Sequence, residues 1–258
     1  MQETVRCVCG ALMERLAGVV GDSGYALCLY GSAAAGEYAS GMSDIDILVR
    51  FSREPDDAVC AALLALHEMP AAAGLTFGVV EGTLTGPALL EGKLGRAVYW
   101  GTGKQRLEDT VPLSAFDRLL IRNGGRLLHG DDFRGMIPRP SGEELREGVR
   151  STLQTVRTYA RQTGESIHAV GWLFDIARGL YTVETGGVAS KSAAVRWALE
   201  AGLAPDEKTL RKALTLRNAP SLYGTPSYER SWFAGLGPAV QRFADVLEER
   251  LRCPDEIG

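Results

Sequence analysis

The stretch Leu29–Phe51, LYGSAAAGEYASGMSDIDILVRF, decides the reading of the first half of the chain. An apolar run, Ala26–Tyr30, leads into Gly31-Ser32. Eleven residues separate Ser32 from Asp44, and Asp44-Ile45-Asp46 opens a second apolar run, Ile45–Phe51. Short apolar runs bounded by turn residues are buried-type strands. Gly31 carries no side chain, so a ligand can approach the backbone there. Ser32 follows at a strand-to-helix turn, where a hydroxyl and the leading amides of a helix suit phosphate oxygens. Asp44 and Asp46 are two apart on a strand, which puts both carboxylates on one face, roughly 6–7 Å apart, with Ile45 turned into the core. Carboxylates so placed suit Mg²⁺, which prefers hard oxygen donors and keeps open positions for substrate phosphates. An isolated Asp-x-Asp is usually a solvated strand end, and Gly-Ser is a common turn; their combination at this spacing, each joined to an apolar strand, is far more restrictive.

Outward from this stretch, strands alternate with helices. The N-terminal segment carries Val5, Val8, Leu12, Leu16 and Val19 on one helical stripe. An amphipathic helix is expected over Pro55–His67, strands over Leu75–Glu81, Ala97–Gly101 and Arg126–His129, and a helix from Pro112 to Asn123 closed by Gly124-Gly125. After Met136–Gly142, a Pro-rich linker, the pattern is helical throughout, as in Leu145, Val149, Leu153 and Val156, or Leu236, Val240, Phe243 and Leu247. The fold expected is an α/β (α+β) domain over residues 1–138, followed by an all-helical bundle over 139–258.

The 258 residues are 45% apolar and 23% charged, with a net charge of −4. That balance lacks the surplus Lys and Arg of a nucleic-acid binder. No stretch is long and apolar enough to span a bilayer, and the N-terminal segment does not read as a signal peptide. Five cysteines in irregular positions, Cys7, Cys9, Cys28, Cys60 and Cys253, form no zinc pattern and read as reduced, which points to a cytoplasmic protein; a monomer or weak dimer is expected. His67, His129 and His168 make no constellation with a nucleophile, and neither a G-x-S-x-G elbow nor a G-x-x-x-x-G-K-[ST] loop occurs.

The Gly-Ser, spacer, Asp-apolar-Asp pattern resembles the signature of the DNA polymerase β-like nucleotidyltransferase superfamily, whose fold is a small mixed sheet with helices packed on it. A second resemblance covers Trp172–Glu200, WLFDIARGLYTVETGGVASKSAAVRWALE. This is similar to the helical domain of the aminoglycoside 3''/9-adenylyltransferases, with Arg178, Thr185, Gly186, Lys191, Trp197, Ala198 and Glu200 on the pattern. Asp117–Asp131 also resembles that family. The likeness implies Mg²⁺-dependent transfer of AMP from ATP to a hydroxyl of a small molecule held between the domains. Asp44 and Asp46 would hold metal, and Gly31, Ser32, Ser43, Lys191 and Arg217 would bind the triphosphate. Acidic side chains such as Asp175 and Glu184 are available to a cationic acceptor.

This sequence departs from the family at three places. The family's basic glutamate matches Thr102, which cannot accept a proton at neutral pH, so Glu81 is the candidate third acid. Leu180 stands where streptomycin-modifying members have Trp, and Ser192 stands in place of Asp. Trp172, Trp197 and Trp232 read as core residues rather than ligand platforms.

Overall fold

Along Ile45–Phe51 the side chains divide strictly by period two. Ile45, Ile47, Val49 and Phe51 are buried in one cluster, Leu48 belongs to another, and Asp46 and Arg50 are half-buried. The computed structural model describes residues 1–71, 74–90, 93, 95–101, 104–108, 113–219 and 227–252. The chain forms two compact units, Met1–Tyr38 with Ser43–Arg139, and Pro140–Gly258 with Ala39–Met42.

The first unit runs α1 (Glu3–Val20), β1 (Tyr25–Leu29), α2 (Gly31–Ala35), β2 (Ile45–Phe51), α3 (Asp57–Leu66), β3 (Val80–Thr85), α4 (Pro87–Leu90), β4 (Ala97–Gly101), β5 (Lys104–Glu108), α5 (Ala115–Gly124) and β6 (Arg126–His129). The strands make one mixed sheet in the order β5-β4-β3-β2-β1-β6, with β2 and β3 parallel and all other neighbours antiparallel. One sheet face, carrying Leu27, Leu29, Ile45, Ile47, Val98 and Trp100, packs with Val5, Val8, Leu12 and Leu16 of α1 and Cys60, Leu63 and Leu66 of α3. Burying each such large side chain contributes about 1.5–3 kcal/mol. On the opposite face Ala26, Cys28, Tyr30 and Leu48 meet Ile121 of α5 together with Leu90, Phe133 and Ile137.

Three expectations need correction. The third strand lies at Val80–Thr85, not Leu75–Glu81. Phe77–Val79 is a single 3-10 turn, begun where the Thr76 hydroxyl accepts the Gly78 N–H. Gly82, which ended the apparent pattern, sits inside the strand because only a residue without Cβ fits: a Cβ there would lie 1.9 Å from the Ile47 carbonyl oxygen. Second, the helix expected from Pro112 starts at Ala115, because the Ser114 hydroxyl accepts the Asp117 N–H at 3.0 Å as its N-cap; Pro112 itself lies outside the described residues. Third, β5 was not expected, since KQRLE carries none of the apolar alternation of a core strand and pairs with β4 at the end of the sheet.

The second unit consists of α6 (Gly142–Tyr159), α7 (Gly171–Thr185), α8 (Lys191–Glu200), α9 (Glu207–Asn218), α10 (Ser227–Ala234) and α11 (Gly237–Arg252). Ser141 and Glu144 form a reciprocal capping box at the start of α6. Helix α7 packs against α6, α8 and α11, and its Leu173, Phe174, Ile176, Ala177 and Leu180 are buried. Arg157 ties α6 to α11, its guanidinium reaching Asp245 at 2.7 Å and Glu248 at 2.6 Å. Trp172, Trp197 and Trp232 are half-buried rather than core; the fully buried tryptophan is Trp100, in the sheet. Cys7, Cys9, Cys28 and Cys60 are free thiols; Cys253 lies outside the described residues. Among the described residues no helix is long and apolar enough to cross a membrane.

Candidate active site

Strand β1 passes into α2 through Tyr30, whose N–H donates to the Asp46 carbonyl at 2.9 Å. Gly31 then adopts φ +64°, a conformation that costs other residues energy. A Cβ on Gly31 would lie 2.1 Å from Oδ2 of Asp46. The glycine thus does two things: it makes the turn, and it leaves the space that the Asp46 carboxylate occupies. Half-buried Ser32 follows in the first turn of α2, whose leading amides have no partner within the helix itself.

Asp46 on β2 and Glu81 on β3 are register partners in the parallel pair, so their side chains share one face of the sheet. Asp44 precedes the strand rather than lying on it, and its carboxyl acts on that of Glu81 from beside it. From β4, the Tyr99 hydroxyl donates to Oε1 of Glu81 at 2.5 Å. Burial pushes the Glu81 carboxyl above its ordinary range; the Tyr99 hydrogen bond opposes this, and the charges of Asp44 and Asp117 add to it. The phenol of Tyr30 is held well above its usual value, first by burial and then by Asp117, Asp46, Glu81 and Tyr99. Four polar side chains from β2, β3, β4 and α5, with Asp44 just before β2, therefore act on a common neighbourhood at one end of β1.

The donors here are carboxylate oxygens, which suit a hard divalent cation, and the space left by Gly31 keeps one of them beside the turn. Among the described residues no three His, Cys, Asp or Glu side chains converge as a ready ligand cluster; the acids meet in pairs along the sheet face. Ser43, half-buried, directly precedes Asp44.

Residues 13–85 match the family model for the nucleotidyltransferase domain. The chain carries a nucleotidyltransferase domain. The matched segment contains Gly31, Ser32, Asp44, Asp46 and Glu81. The whole chain is also similar in fold to the crystal structure of spectinomycin adenyltransferase AAD(9) from Enterococcus faecialis, solved with ATP and spectinomycin. The TM-score is 0.59 at 13% identity, over 95% of this chain and 98% of that one. No curated protein matches the sequence significantly.

Two partners of the nucleotidyltransferase domain's acids escaped the sequence reading. Tyr99 sits in AVYWG, where the apolar alternation of β4 hid it. Asp117 reads as a first-turn helix acid, and only the fold brings it near Glu81 and Tyr30. Thr102, matched by resemblance to the family glutamate, lies outside the described residues. In the helical unit, Lys191 is ion-paired with Asp175 at 3.0 Å, and Glu184 with Arg250 at 3.6 Å. Arg217 is 4% exposed, its guanidinium 5.4 Å from the centre of the Phe174 ring. Leu180 and Ser192 are both buried, so these two positions contribute to packing.

Proposed function

We propose that this protein transfers AMP from ATP to a hydroxyl of a small molecule, an aminoglycoside-type antibiotic, and releases pyrophosphate. The observation that carries this reading is the pairing of Asp46 with Glu81 on one sheet face, with Asp44 in contact with Glu81 and Gly31 making room for Asp46. Asp44 and Asp46 would hold Mg²⁺, which when bound supplies charge neutralisation at the phosphates. Gly31, Ser32 and Ser43 would position the triphosphate, with Lys191 and Arg217 adding positive charge. Glu81 takes the proton from the acceptor hydroxyl as its oxygen bonds to the α-phosphorus and the bond to the pyrophosphate oxygen breaks. A carboxyl pushed upward by burial is a better base for a hydroxyl than a solvated one. The fold shared with an enzyme crystallised with ATP and spectinomycin supports the choice of nucleotide and of acceptor class.

A second reading keeps the chemistry and changes the acceptor to another natural product. The buried Leu180 favours it over streptomycin, since the side chain offers no exposed ring on which a sugar could stack.

The test is incubation with ATP, Mg²⁺ and a panel of spectinomycin, streptomycin and other amino sugars, followed by mass spectrometry for AMP adducts. An adduct that disappears in Asp46→Asn supports the reading. Full activity of Asp46→Asn would sink the metal assignment.

A further inference from the structure

We propose that Tyr99 is a positioning residue for Glu81: its hydroxyl fixes one carboxylate oxygen so that the other is presented to the acceptor. This rests on the reading of Glu81 as the base given above. A glutamate has three side-chain torsions and two equivalent oxygens, and an unrestrained one spends little time in any single reactive pose. The half-buried Tyr99 removes that freedom. Its backbone is clamped in a central strand, pairing on one side with Thr83 of β3 and on the other with Arg106 of β5. Thr83 is two residues beyond Glu81, so Tyr99 and Glu81 emerge on the same face of adjacent strands, diagonally placed. The hydroxyl then donates to Oε1 at 2.5 Å, within the range of a short charge-assisted bond. Oε1 is thereby engaged, and the orientation of the whole carboxyl group is fixed with it.

Two further contacts make orientation necessary. Asp44 lies near the same carboxyl group and acts on it. Without the phenol, Glu81 can rotate towards Asp44 or towards solvent. Gly82, immediately after Glu81, brings β3 against the Ile47 carbonyl and fixes the backbone from which Glu81 projects. The strand therefore sets where the carboxyl group stands, and Tyr99 sets which way it faces.

The experiment compares wild type, Tyr99→Phe and Glu81→Gln. Pyrophosphate release is followed with ATP and Mg²⁺, using spectinomycin as acceptor and water as the acceptor always present. Tyr99→Phe removes one oxygen and keeps the ring, so its Tm should stay near that of wild type. The expected result is a kcat lowered about 10–100-fold, the usual effect of losing a group that orients a reacting side chain. KM for ATP should remain within about twofold, because the phenol touches Glu81 rather than the nucleotide. A merely structural role would instead move Tm, or move KM and kcat together. In protein labelled with ¹³C at the tyrosine ζ position, the Tyr99 resonance should shift in Glu81→Gln, reporting the bond directly. An unchanged kcat in Tyr99→Phe, alongside an inactive Glu81→Gln, would overturn the positioning role and leave the base intact. Full activity of Glu81→Gln, or a wild type that never releases pyrophosphate, would overturn the underlying reading, and Tyr99's role with it.

Discussion

Oδ2 of Asp46 stands 2.1 Å from the point where residue 31 would carry a Cβ. The turn before α2 and the candidate metal-binding carboxylate are thus two parts of one steric arrangement. Gly31→Ala should force the carboxylate aside and also place alanine at φ +64°, which costs about 1–2 kcal/mol in that region. The expected outcome is a folded protein with a Tm lower by roughly 2–4 °C per kcal/mol and adenylyl transfer reduced to background. Circular dichroism melting and the mass-spectrometric assay check the two parts separately. A variant with wild-type turnover would show that Asp46 need not occupy this position.

Asp46 and Glu81 place carboxyl groups on one sheet face, Asp44 acts on Glu81 from just before β2, and a divalent cation would relieve their mutual repulsion. Mg²⁺ at 100 times its dissociation constant should stabilise the folded state by about 2.7 kcal/mol through mass action alone. We expect Mg²⁺ to raise Tm in wild type, EDTA to reverse the rise, and Asp46→Asn to abolish it. This readout needs no acceptor. Equal Mg²⁺ responses in wild type and Asp46→Asn would place the cation elsewhere.

Asp132 and Arg134 form a fork after β6, with Nε to Oδ1 at 2.8 Å and Nη2 to Oδ2 at 2.6 Å, and the guanidinium also donates to the Gly125 carbonyl. These hydrogen bonds, the Arg134 side chain's first, lower the Asp132 carboxyl from its usual 3.8 to about 2. A folded-state value below the unfolded one means that the stabilisation is present above pH 3.8 and fades as pH falls towards 2. The carboxyl is solvent-exposed, so the contribution is screened and modest. Asp132→Asn should therefore melt slightly below wild type at pH 7, and the gap should close near pH 2. Urea titrations at the two pH values measure it, and a gap that widens on acidification would contradict the pairing.

Much of this was legible because period-two burial and turn chemistry are local. The strand β2, the Gly31 turn and the opposed placement of Ile45 and Asp46 all follow from alternation over a few residues. The stripes of α1 and α6 were equally clear. What failed was long-range. Gly82 looked like a strand end because the reason for a glycine there is the Ile47 carbonyl, which belongs to a different strand. Edge strand β5, KQRLE, has no apolar alternation in its sequence to betray it. Tyr99 looked apolar within its strand, and its hydroxyl gains meaning only when β4 is set beside β3. Asp117 likewise depends on where α5 packs.

Lys191 and Asp175 offer a final separation of structural from functional roles. Their ion pair, at 3.0 Å, joins α8 to α7, and the two side chains are 35% and 31% exposed. A pair so exposed is worth at most about 1 kcal/mol, so removing either partner should cost little stability, and the two losses should be alike. Function should distinguish them. If Lys191 serves the triphosphate, Lys191→Ala raises KM for ATP, by about tenfold for the loss of roughly 1.4 kcal/mol of binding. Asp175→Asn keeps the ammonium and releases it from its partner, so KM for ATP should stay level or fall. Isothermal titration with a non-hydrolysable ATP analogue and Mg²⁺, on both variants, reads this without turnover. Equal affinities in Lys191→Ala and wild type would confine Lys191 to holding α7 and α8 together.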